Sequence, residues 1–231
     1  MELNERLLVS NKELEGLGHS LSHDLRGPII SIEGFIGILL EKHSGKLDRE
    51  AKEFLGIIAD SVHRMSNMIT GLLAISQIAR TELRREKIDM SALARSIVQE
   101  CKDKAPARIV GVSIPDGLFA QGDPKLVRMA LTNLFNNAWK FTRNCEHALI
   151  EFGEIDNKGK KTFFLRDNGA GFDSENANKI FTVFRRFHTE AEFEGSGVGL
   201  ATVQRIVKRH GGRIWAEAQV DKGATFYFTL S

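Results

Sequence analysis

The sequence has few of the features that mark a special class of protein. Its 231 residues include only two cysteines, Cys101 and Cys145, which are far apart and form no CxxC or Cys/His pattern. Neither a zinc site nor a disulfide framework is therefore indicated. No apolar run approaches the ~18 residues that span a bilayer, and the N-terminus has no signal-peptide pattern. We expect a cytoplasmic chain, or the cytoplasmic part of a larger protein, with no membrane contact of its own.

An excess of charge of one sign is also lacking. The formal net charge is only +2, which gives no reason to expect nucleic acid or an acidic membrane as a partner. Apolar residues at 42% and charged residues at 27% are typical of a soluble globular protein. The length suffices for one large domain or two small ones.

The N-terminal part has instead a long heptad repeat, the pattern of helices that pack in a bundle. Its first seam consists of Leu7, Asn11, Leu14, Gly18, Leu21, Leu25, Pro28, Ile32, Phe35 and Leu39. The second consists of Ala51, Leu55, Ile58, Val62, Met65, Ile69, Leu72, Ser76, Ala79 and Leu83. Gly45 can end one helix and Asp48 can cap the next, which predicts an antiparallel hairpin.

One such hairpin, with a narrow seam on each helix, buries little apolar surface by itself. We therefore expect two copies to form a homodimeric four-helix bundle through residues 1–86. The repeat is already in register at Leu7, which favours a helix continued from an upstream domain.

His23 lies at the heptad position farthest from the seam, two residues after Leu21, and Asp24 follows it directly. Its imidazole should face water, and Pro28 should bend the helix just after it. From the helix alone, His23 is either an ordinary solvated histidine or a nucleophile presented to a group that arrives from outside.

From about Asp89 the periodicity changes to interleaved helices and strands. Helices are predicted over Ser91–Lys102, Asp123–Phe141 and Gly197–His210. Strands are predicted over Arg108–Ile114, Leu118–Gln121, Ala148–Ile155, Thr162–Arg166, Arg213–Gln219 and Thr225–Leu230. The last four strands form two hairpins, which predicts an α/β sandwich with a mixed sheet rather than a parallel Rossmann sheet. The fold class is thus α followed by α+β, with domains at 1–86 and 87–231.

Several segments of the second half suit a nucleotide. Asn133, Asn137 and Lys140 share one helix face, and two amide oxygens with one ammonium group suit a magnesium-bound phosphate. On their own, such residues are also common on exposed helix faces. In the stretch Asp167–Phe172, a buried aspartate could accept a hydrogen bond from an adenine amino group, although a simple Asn-Gly turn fits these residues equally well.

Two further segments complete this group. Gly195–Leu200 runs into a helix, and glycine-rich helix N-termini bind phosphate, but the spacing is neither GxGxxG nor GxxxxGK[ST]. Rossmann and P-loop sites are therefore excluded. Ile180–Glu194 is long, rich in Phe and Arg, and lacks strand alternation, which is typical of a lid over a bound ligand.

In this order and spacing the segments closely resemble those of the two-component sensor histidine kinases. Ser22–Pro28 resembles the H box of that family and Asn133–Thr142 the N box. Asp167–Gly171 is similar to the G1 box and Gly195–Gly199 to the G2 box, while Phe181–Phe184 with Arg186 is similar to the F box. The run Phe184–His188 further resembles phytochrome-like and sensory-box members.

The resemblance implies an ATP- and Mg²⁺-dependent protein-histidine kinase. It implies that Nε2 of His23 attacks the γ-phosphate, with Asp24 accepting the Nδ1–H, and that the phosphoryl group passes to an aspartate of a response regulator. It also implies a set of cofactor-binding residues: Asn137 and Asn133 for the metal, Lys140 for phosphate, Asp167 and Thr225 beside the adenine, and Arg186, Gly169, Gly171, Gly195, Gly197 and Gly199 around the nucleotide.

Two positions near His23 give further expectations. Ile30 is an apolar residue where water is expected, and it either belongs to the regulator docking face or widens the apolar stripe. Gly27 stands where many family members have Thr or Asn to orient a water, so we expect weak phosphatase activity.

A gyrase-type conformational ATPase and a non-enzymatic dimeric signalling scaffold are the alternative functions.

Overall fold

The computed structural model describes residues 25, 27–80, 82–157, 159–177, 179–185, 193 and 197–230. It divides the chain into two compact units with the boundary between Arg80 and Thr81. We call them the helical unit and the α/β unit. No helix among the described residues is both long enough and apolar enough to cross a membrane.

The helical unit is a hairpin of two helices, α1 over residues 27–42 and α2 over Arg49–Arg80. A 3₁₀ turn, Ser44–Lys46, connects them. The carboxylate of Asp48 accepts a hydrogen bond from the Ala51 amide at 2.8 Å, so it caps α2 as its sequence position predicts. The hairpin has a small core of Ile29, Ile36 and Val62, with Leu40, Leu55, Ala59 and Ile69 packed against it.

The predicted seam of α1 is not the face that packs on α2. Ile36 is 6% exposed, whereas its seam neighbour Phe35 is 67% exposed, and Ile32 and Leu39 are exposed too. On α2 the predicted seam is divided, since Val62 is buried but Met65 is exposed. Each helix therefore carries two adjacent apolar stripes. One stripe packs against the other helix of the hairpin, and the other stripe is exposed in a single chain.

The α/β unit alternates short helices and strands. In chain order these are β1 Glu86–Asp89, α3 Met90–Lys104, β2 Val110–Ser113, β3 Phe119–Gly122, α4 Pro124–Phe141, β4 Ala148–Asn157, β5 Lys160–Asp167, a 3₁₀ turn Ser174–Asn176, α5 Gly199–Arg209, β6 Ile214–Gln219 and β7 Gly223–Phe228. The main sheet has the order β2-β4-β5-β7-β6. Because β2 is parallel to β4 and the other pairs are antiparallel, the predicted mixed sheet is confirmed.

Strand β1, which was not predicted from the sequence, pairs with β3 in a separate two-stranded sheet. Glu86 lies opposite Gly122 in this ladder, and Asp89 opposite Phe119. The strand is short, and only Ile88 among its four residues is apolar, so it shows no alternation that a sequence pattern could reveal.

The two faces of the main sheet differ. Phe152, Phe163 and Leu165 are buried on the inner face, where Phe135 of α4 packs on Phe152 with 5.9 Å between ring centroids. On the outer face, Trp215 stacks on Tyr227 with 5.3 Å between ring centroids. Helices thus cover one face, as in a two-layer sandwich.

Candidate functional site

Helix α4 carries the predicted metal and phosphate ligands on one partly exposed face. Asn133, Asn137 and Lys140 are half-buried, while Leu134 and Ala138 between them are buried. The amide nitrogen Nδ2 of Asn133 donates to the Met129 carbonyl oxygen at 2.9 Å. The Oδ1 atom of Asn133 then points toward the start of α5, because a Cβ atom added at Gly199 would lie 2.8 Å from it. The structure thus brings together α4 and the start of α5.

Asp167 lies at the end of β5 and is 4% exposed. Its Oδ1 atom accepts a hydrogen bond from the Gly169 amide at 2.9 Å. Burial raises the pKa of this carboxyl from 3.8 to about 6, although backbone N–H groups of Gly169 and Ala224 act in the opposite direction. A buried carboxylate held at the edge of a loop is suited to accept a hydrogen bond from a ligand amino group.

The loop after Asp167 passes very close to other backbone. A Cβ atom at Gly169 would lie 2.5 Å from the Phe141 carbonyl oxygen, and one at Gly171 would lie 2.0 Å from the Gln219 carbonyl oxygen. Gly171 also has a positive φ of 61°. Only glycine fits these positions, because any side chain would overlap backbone atoms that cannot move independently.

This loop is tied to its neighbours by two backbone hydrogen bonds. The Ala170 amide donates to the Phe141 carbonyl oxygen at 3.1 Å, and the Asp221 amide donates to the Ala170 carbonyl oxygen at 2.8 Å. The end of α4, the Asp167 loop and the β6–β7 turn therefore form one connected rim.

Helix α5 begins at Gly199, and the backbone just before it lies close to the backbone of Phe184. Gly197 has a φ of 70°, and its carbonyl oxygen accepts a hydrogen bond from the Phe184 amide at 3.0 Å. Val198 precedes the helix and has no side-chain cap bond, so its side chain does not compete for the first amides of α5. Free amides at a helix N-terminus favour an anionic group.

A residue that the sequence analysis did not single out, Phe193, lies at this rim. It is 5% exposed, and its ring meets that of Phe141 edge-to-face with 5.0 Å between centroids. The Arg143 guanidinium carbon lies 5.0 Å from the centroid of the Phe193 ring. An aromatic residue two positions before a glycine-rich segment was the available sequence signal. Phe193 joins the segment predicted as a lid to the end of α4.

Thr225 requires a correction, because the structure does not bring it to Asp167. In the β5–β7 ladder Asp167 lies opposite Ala224, whereas Thr225 lies opposite Arg166. Side chains alternate between the faces of a sheet, so Thr225 points to the outer face, where its hydroxyl accepts a hydrogen bond from Arg166 Nε at 3.3 Å. Ala224 has the position beside Asp167.

His23, Asp24, Arg186 and Gly195 lie outside the described residues. Nearby on α1, Ile30 is 58% exposed, which agrees with the expected position on the helix surface.

The donor set fits a magnesium ion held mainly by nucleotide phosphates. Within the part of the chain that the structure describes, no group of three His, Cys, Asp or Glu side chains could hold a metal. The Oδ1 atom of Asn133 lies beside the start of α5, and Asn137 follows one turn later on the same face of α4. Mg²⁺ prefers oxygen ligands and is often bound through one or two protein groups and substrate phosphates.

Two family models match the chain. Residues 14–81 match the His Kinase A (phospho-acceptor) domain, and residues 122–231 match the histidine kinase-, DNA gyrase B- and HSP90-like ATPase family. The first match includes His23 and Asp24, and the second includes the ends of α4 and β5 and the whole of α5.

Curated relatives match over almost the whole chain. The methanogenesis regulatory histidine kinase FilI of Methanothrix harundinacea is 34% identical over 99% of this chain and 26% of its own length. Cyanobacterial phytochrome A of Nostoc is 34% identical over 99% of this chain and 30% of its own length. The chain therefore spans between a quarter and a third of the length of these relatives.

Solved structures share the fold. Full-length ShkA in complex with AMPPNP matches with a TM-score of 0.64 and 24% identity, over 93% of this chain and 45% of that chain. The histidine kinase AdeS of Acinetobacter baumannii matches with a TM-score of 0.61 and 18% identity, over 90% of this chain and 97% of that chain.

Proposed function

Because the chain belongs to the sensor histidine kinase family, we propose that it is the catalytic core of such a kinase. It phosphorylates His23 with ATP and then transfers the phosphoryl group to an aspartate of a response regulator. In the first step Nε2 of His23 attacks the γ-phosphorus of ATP, the bond from that phosphorus to the β–γ bridging oxygen breaks, and ADP leaves. Asp24 accepts the Nδ1–H of His23 and so keeps Nε2 free to attack.

The observation that carries this proposal is the convergence on one rim of a buried carboxylate and the polar face of α4. Asp167 accepts a hydrogen bond from the adenine amino group, and the loop containing Gly169 and Gly171 lies close against the nucleotide. A hydrogen bond between a neutral donor and a buried carboxylate is stronger than one between two neutral groups. Because an ionised carboxylate can accept but not donate a hydrogen bond, this site favours adenine over a base with a carbonyl group at that position.

The phosphate end of ATP lies between α4 and the start of α5. Lys140 neutralises phosphate charge, and the backbone at Gly197 and Gly199 lets the phosphates approach the first amides of α5. Gly195 and Arg186, which lie outside the described residues, belong to the nucleotide-binding set in the same proposal. Asn137, with Asn133 beside it, holds Mg²⁺, which supplies charge neutralisation for the transferred phosphoryl group. Thr225 is not part of this site.

We also propose the assembly and location that this reaction needs. Two chains associate through residues 1–86, and a receiver domain docks near His23 and Ile30, where an exposed isoleucine offers an apolar contact. A cytoplasmic location, with access to ATP and regulators, is part of the same proposal. Phosphatase activity is weak, because Gly27 has no side chain to hold a water. A side chain would fit at this position, since a Cβ atom there would meet nothing within 4 Å.

The direct test is incubation with γ-labelled ATP and Mg²⁺, comparing the wild-type chain with His23→Gln. Label should appear only in the wild type and should be labile to acid but stable to alkali. ATP hydrolysis without labelled protein would favour a gyrase-type ATPase. Nucleotide binding with neither label nor hydrolysis would favour a signalling scaffold.

The docking surface can be tested with Ile30→Lys. The variant should autophosphorylate like the wild type but transfer its phosphoryl group more slowly to the regulator. Normal transfer by this variant would contradict the docking role of Ile30, without affecting the kinase proposal.

A further inference from the structure

The segment that leaves the helical unit is bound to the α/β unit before the first strand begins. The backbone amide of Arg84 donates to Oδ2 of Asp123 at 3.2 Å. The guanidinium of Arg85 donates to the carbonyl oxygen of His210 at 3.5 Å, a longer and weaker contact. We call residues 81–85 the linker. Asp123, at the start of α4, and His210, at the end of α5, thus bind Arg84 and Arg85 of this linker.

Asp123 divides its two carboxylate oxygens between two tasks. Oδ1 accepts hydrogen bonds from the amides of Lys125 and Leu126, at 3.0 and 3.1 Å, and so caps α4. Oδ2 is the acceptor for Arg84. Burial acts to raise the pKa of Asp123, but the hydrogen bonds from Leu126, Arg84 and Lys125 lower it below its ordinary value overall. The group is therefore ionised at neutral pH.

His210 holds Asp123 in place from the other side. Its ring is fully buried, its Nε2 accepts the Asp123 backbone N–H at 2.9 Å, and its Nδ1–H donates to the Ile206 carbonyl oxygen at 2.8 Å. Both nitrogens are used, which fixes the ring and its tautomer. Gly122 precedes Asp123 and a Cβ atom there would lie 3.1 Å from this ring, so the backbone packs tightly against it.

The same two helices carry the proposed nucleotide site at a different level. Gly199 begins α5 beside Asn133 in the middle of α4, and His210 follows the end of α5 beside Asp123 at the start of α4. The bond between Asp123 and Arg84 is thus made by the helix that also bears Asn133, Asn137 and Lys140.

We infer that Asp123 is a positioning residue for the kinase reaction, acting through the linker. Its Oδ2 bond to Arg84 forms a latch that shortens the free tether between the units. The latch anchors the backbone of the tether at Arg84. Without it the next backbone anchor is Glu86, which pairs with Gly122, so the tether lengthens by two residues, or ~7 Å at most; the contact of Arg85 with His210 is made by its side chain. A longer tether lowers the effective concentration of bound ATP at the phosphoacceptor. This inference rests on the proposed kinase function.

The structure offers a variant that opens the latch and keeps the cap. Asn is as good as Asp at a helix N-cap, because its one carbonyl oxygen can accept from Lys125 and Leu126. Asp123→Asn, however, turns a nitrogen donor toward the Arg84 amide in place of Oδ2. Asp123→Ser keeps a single capping oxygen and also lacks the second acceptor. Asp89→Asn makes the same chemical change at the cap of α3, where the side chain accepts from Ala92, and is the matched control.

The experiment combines hydrogen exchange at the Arg84 amide, nucleotide affinity and autophosphorylation of the full chain. In Asp123→Asn and Asp123→Ser we expect exchange at Arg84 to rise about tenfold or more, since a hydrogen bond to a charged acceptor is lost. Nucleotide affinity should stay within about twofold, and the autophosphorylation kcat should fall about twofold or more without a rise in KM for ATP. Asp89→Asn should behave like the wild type in all three measurements.

Protection of Arg84 that persists in both variants would overturn the latch. An autophosphorylation rate that is unchanged or faster despite rapid exchange at Arg84 would overturn the positioning role. A wild-type chain that fails to autophosphorylate would instead contradict the proposed function, and the exchange measurement would still decide whether the latch exists.

Discussion

The two units differ in how much of their apolar surface a single chain can bury. Among the described residues, the two helices of the hairpin meet in a small core of Ile29, Ile36 and Val62, and large side chains such as Phe35 and Phe54 are exposed. In the α/β unit the corresponding aromatic residues, among them Phe135 and Phe152, are fully buried between helices and sheet. The described part of the α/β unit therefore buries these side chains by itself, whereas the hairpin exposes a stripe that a second copy would cover in the proposed dimer.

The difference shows where each unit draws its stability. Burial of apolar area scales with the surface covered, so a two-helix unit with open stripes gains little until it associates. The α/β unit can in turn tolerate an unfavourable group at its rim, the buried carboxylate of Asp167, because its core is large.

The largest effect is expected from Phe135→Ala. Phe135 is fully buried and packs on Phe152, so the cavity should cost about 3–5 kcal/mol of unfolding free energy in the α/β unit. Calorimetry of the full chain should show a lowered transition for this unit and an unchanged transition for the helical unit. A change in both transitions would mean that the units do not unfold independently.

The next effect is expected from Phe35→Asp, which places a charge on the open stripe of α1. In an isolated hairpin the change would be almost neutral, because Phe35 is exposed there. If the stripe is the dimer interface, sedimentation should show dissociation, and helical content should fall on dilution. Lys42→Asp, at another exposed position of α1, is the control and should leave the association unchanged. A stable Phe35→Asp dimer would contradict the predicted interface.

Phe193→Ala should loosen the contact between the lid segment and α4. The edge-to-face pair with Phe141 is worth about 0.5–1.5 kcal/mol beyond its area, so nucleotide dissociation should become roughly three- to tenfold faster. Stopped-flow displacement of a fluorescent nucleotide measures this rate. Phe193→Tyr, which keeps the ring, should dissociate nucleotide at nearly the wild-type rate. A wild-type rate in Phe193→Ala would show that the contact does not retain nucleotide.

The pH dependence of nucleotide binding should reflect Asp167. Its pKa in the folded chain is raised to about 6, so the stronger, ionised acceptor is lost as the pH falls through that value. Affinity should drop by up to ~10-fold between pH 7 and 5. The folded state binds this proton more tightly than the unfolded state, so the same titration adds stability as the pH falls from about 6 toward 4.

Asp167→Asn is the control for that titration. It should bind nucleotide more weakly at pH 7 and lose the part of the pH dependence that belongs to Asp167, while any slope due to the phosphates is shared by both proteins. Identical pH profiles of affinity in the two proteins would exclude ionised Asp167 as the acceptor.

The smallest effect is expected from Thr225→Val. The hydroxyl of Thr225 faces Arg166 on the outer side of the sheet, so nucleotide affinity should change by less than about twofold. Ala224→Leu, one residue earlier, should instead crowd the space beside Asp167 and lower the affinity by about tenfold. The reverse result in equilibrium binding would mean that β7 is in the other register.

Much of the fold could be predicted from local patterns. The helices around Asp123–Phe141 and Gly197–His210 and the two C-terminal hairpins lie within a few residues of their predicted bounds. The short strand β1 could not be predicted, because pairing with β3, and not its own composition, makes Glu86–Asp89 a strand. Phe193 was missed for a similar reason, since only the contact with Phe141 distinguishes it from other aromatic residues of that stretch.

The sequence by itself determined the two kinds of periodicity, the order of the nucleotide-binding segments and the presence of Asp167 among glycines. These features depend on residue type and spacing, which are local. The tertiary structure decided which stripe of α1 packs inside the hairpin, which of Ala224 and Thr225 faces Asp167, and that Asp123 binds the linker. Each of these depends on strand register or on the meeting of residues far apart in the chain, and a shift of one residue reverses the face that a side chain presents.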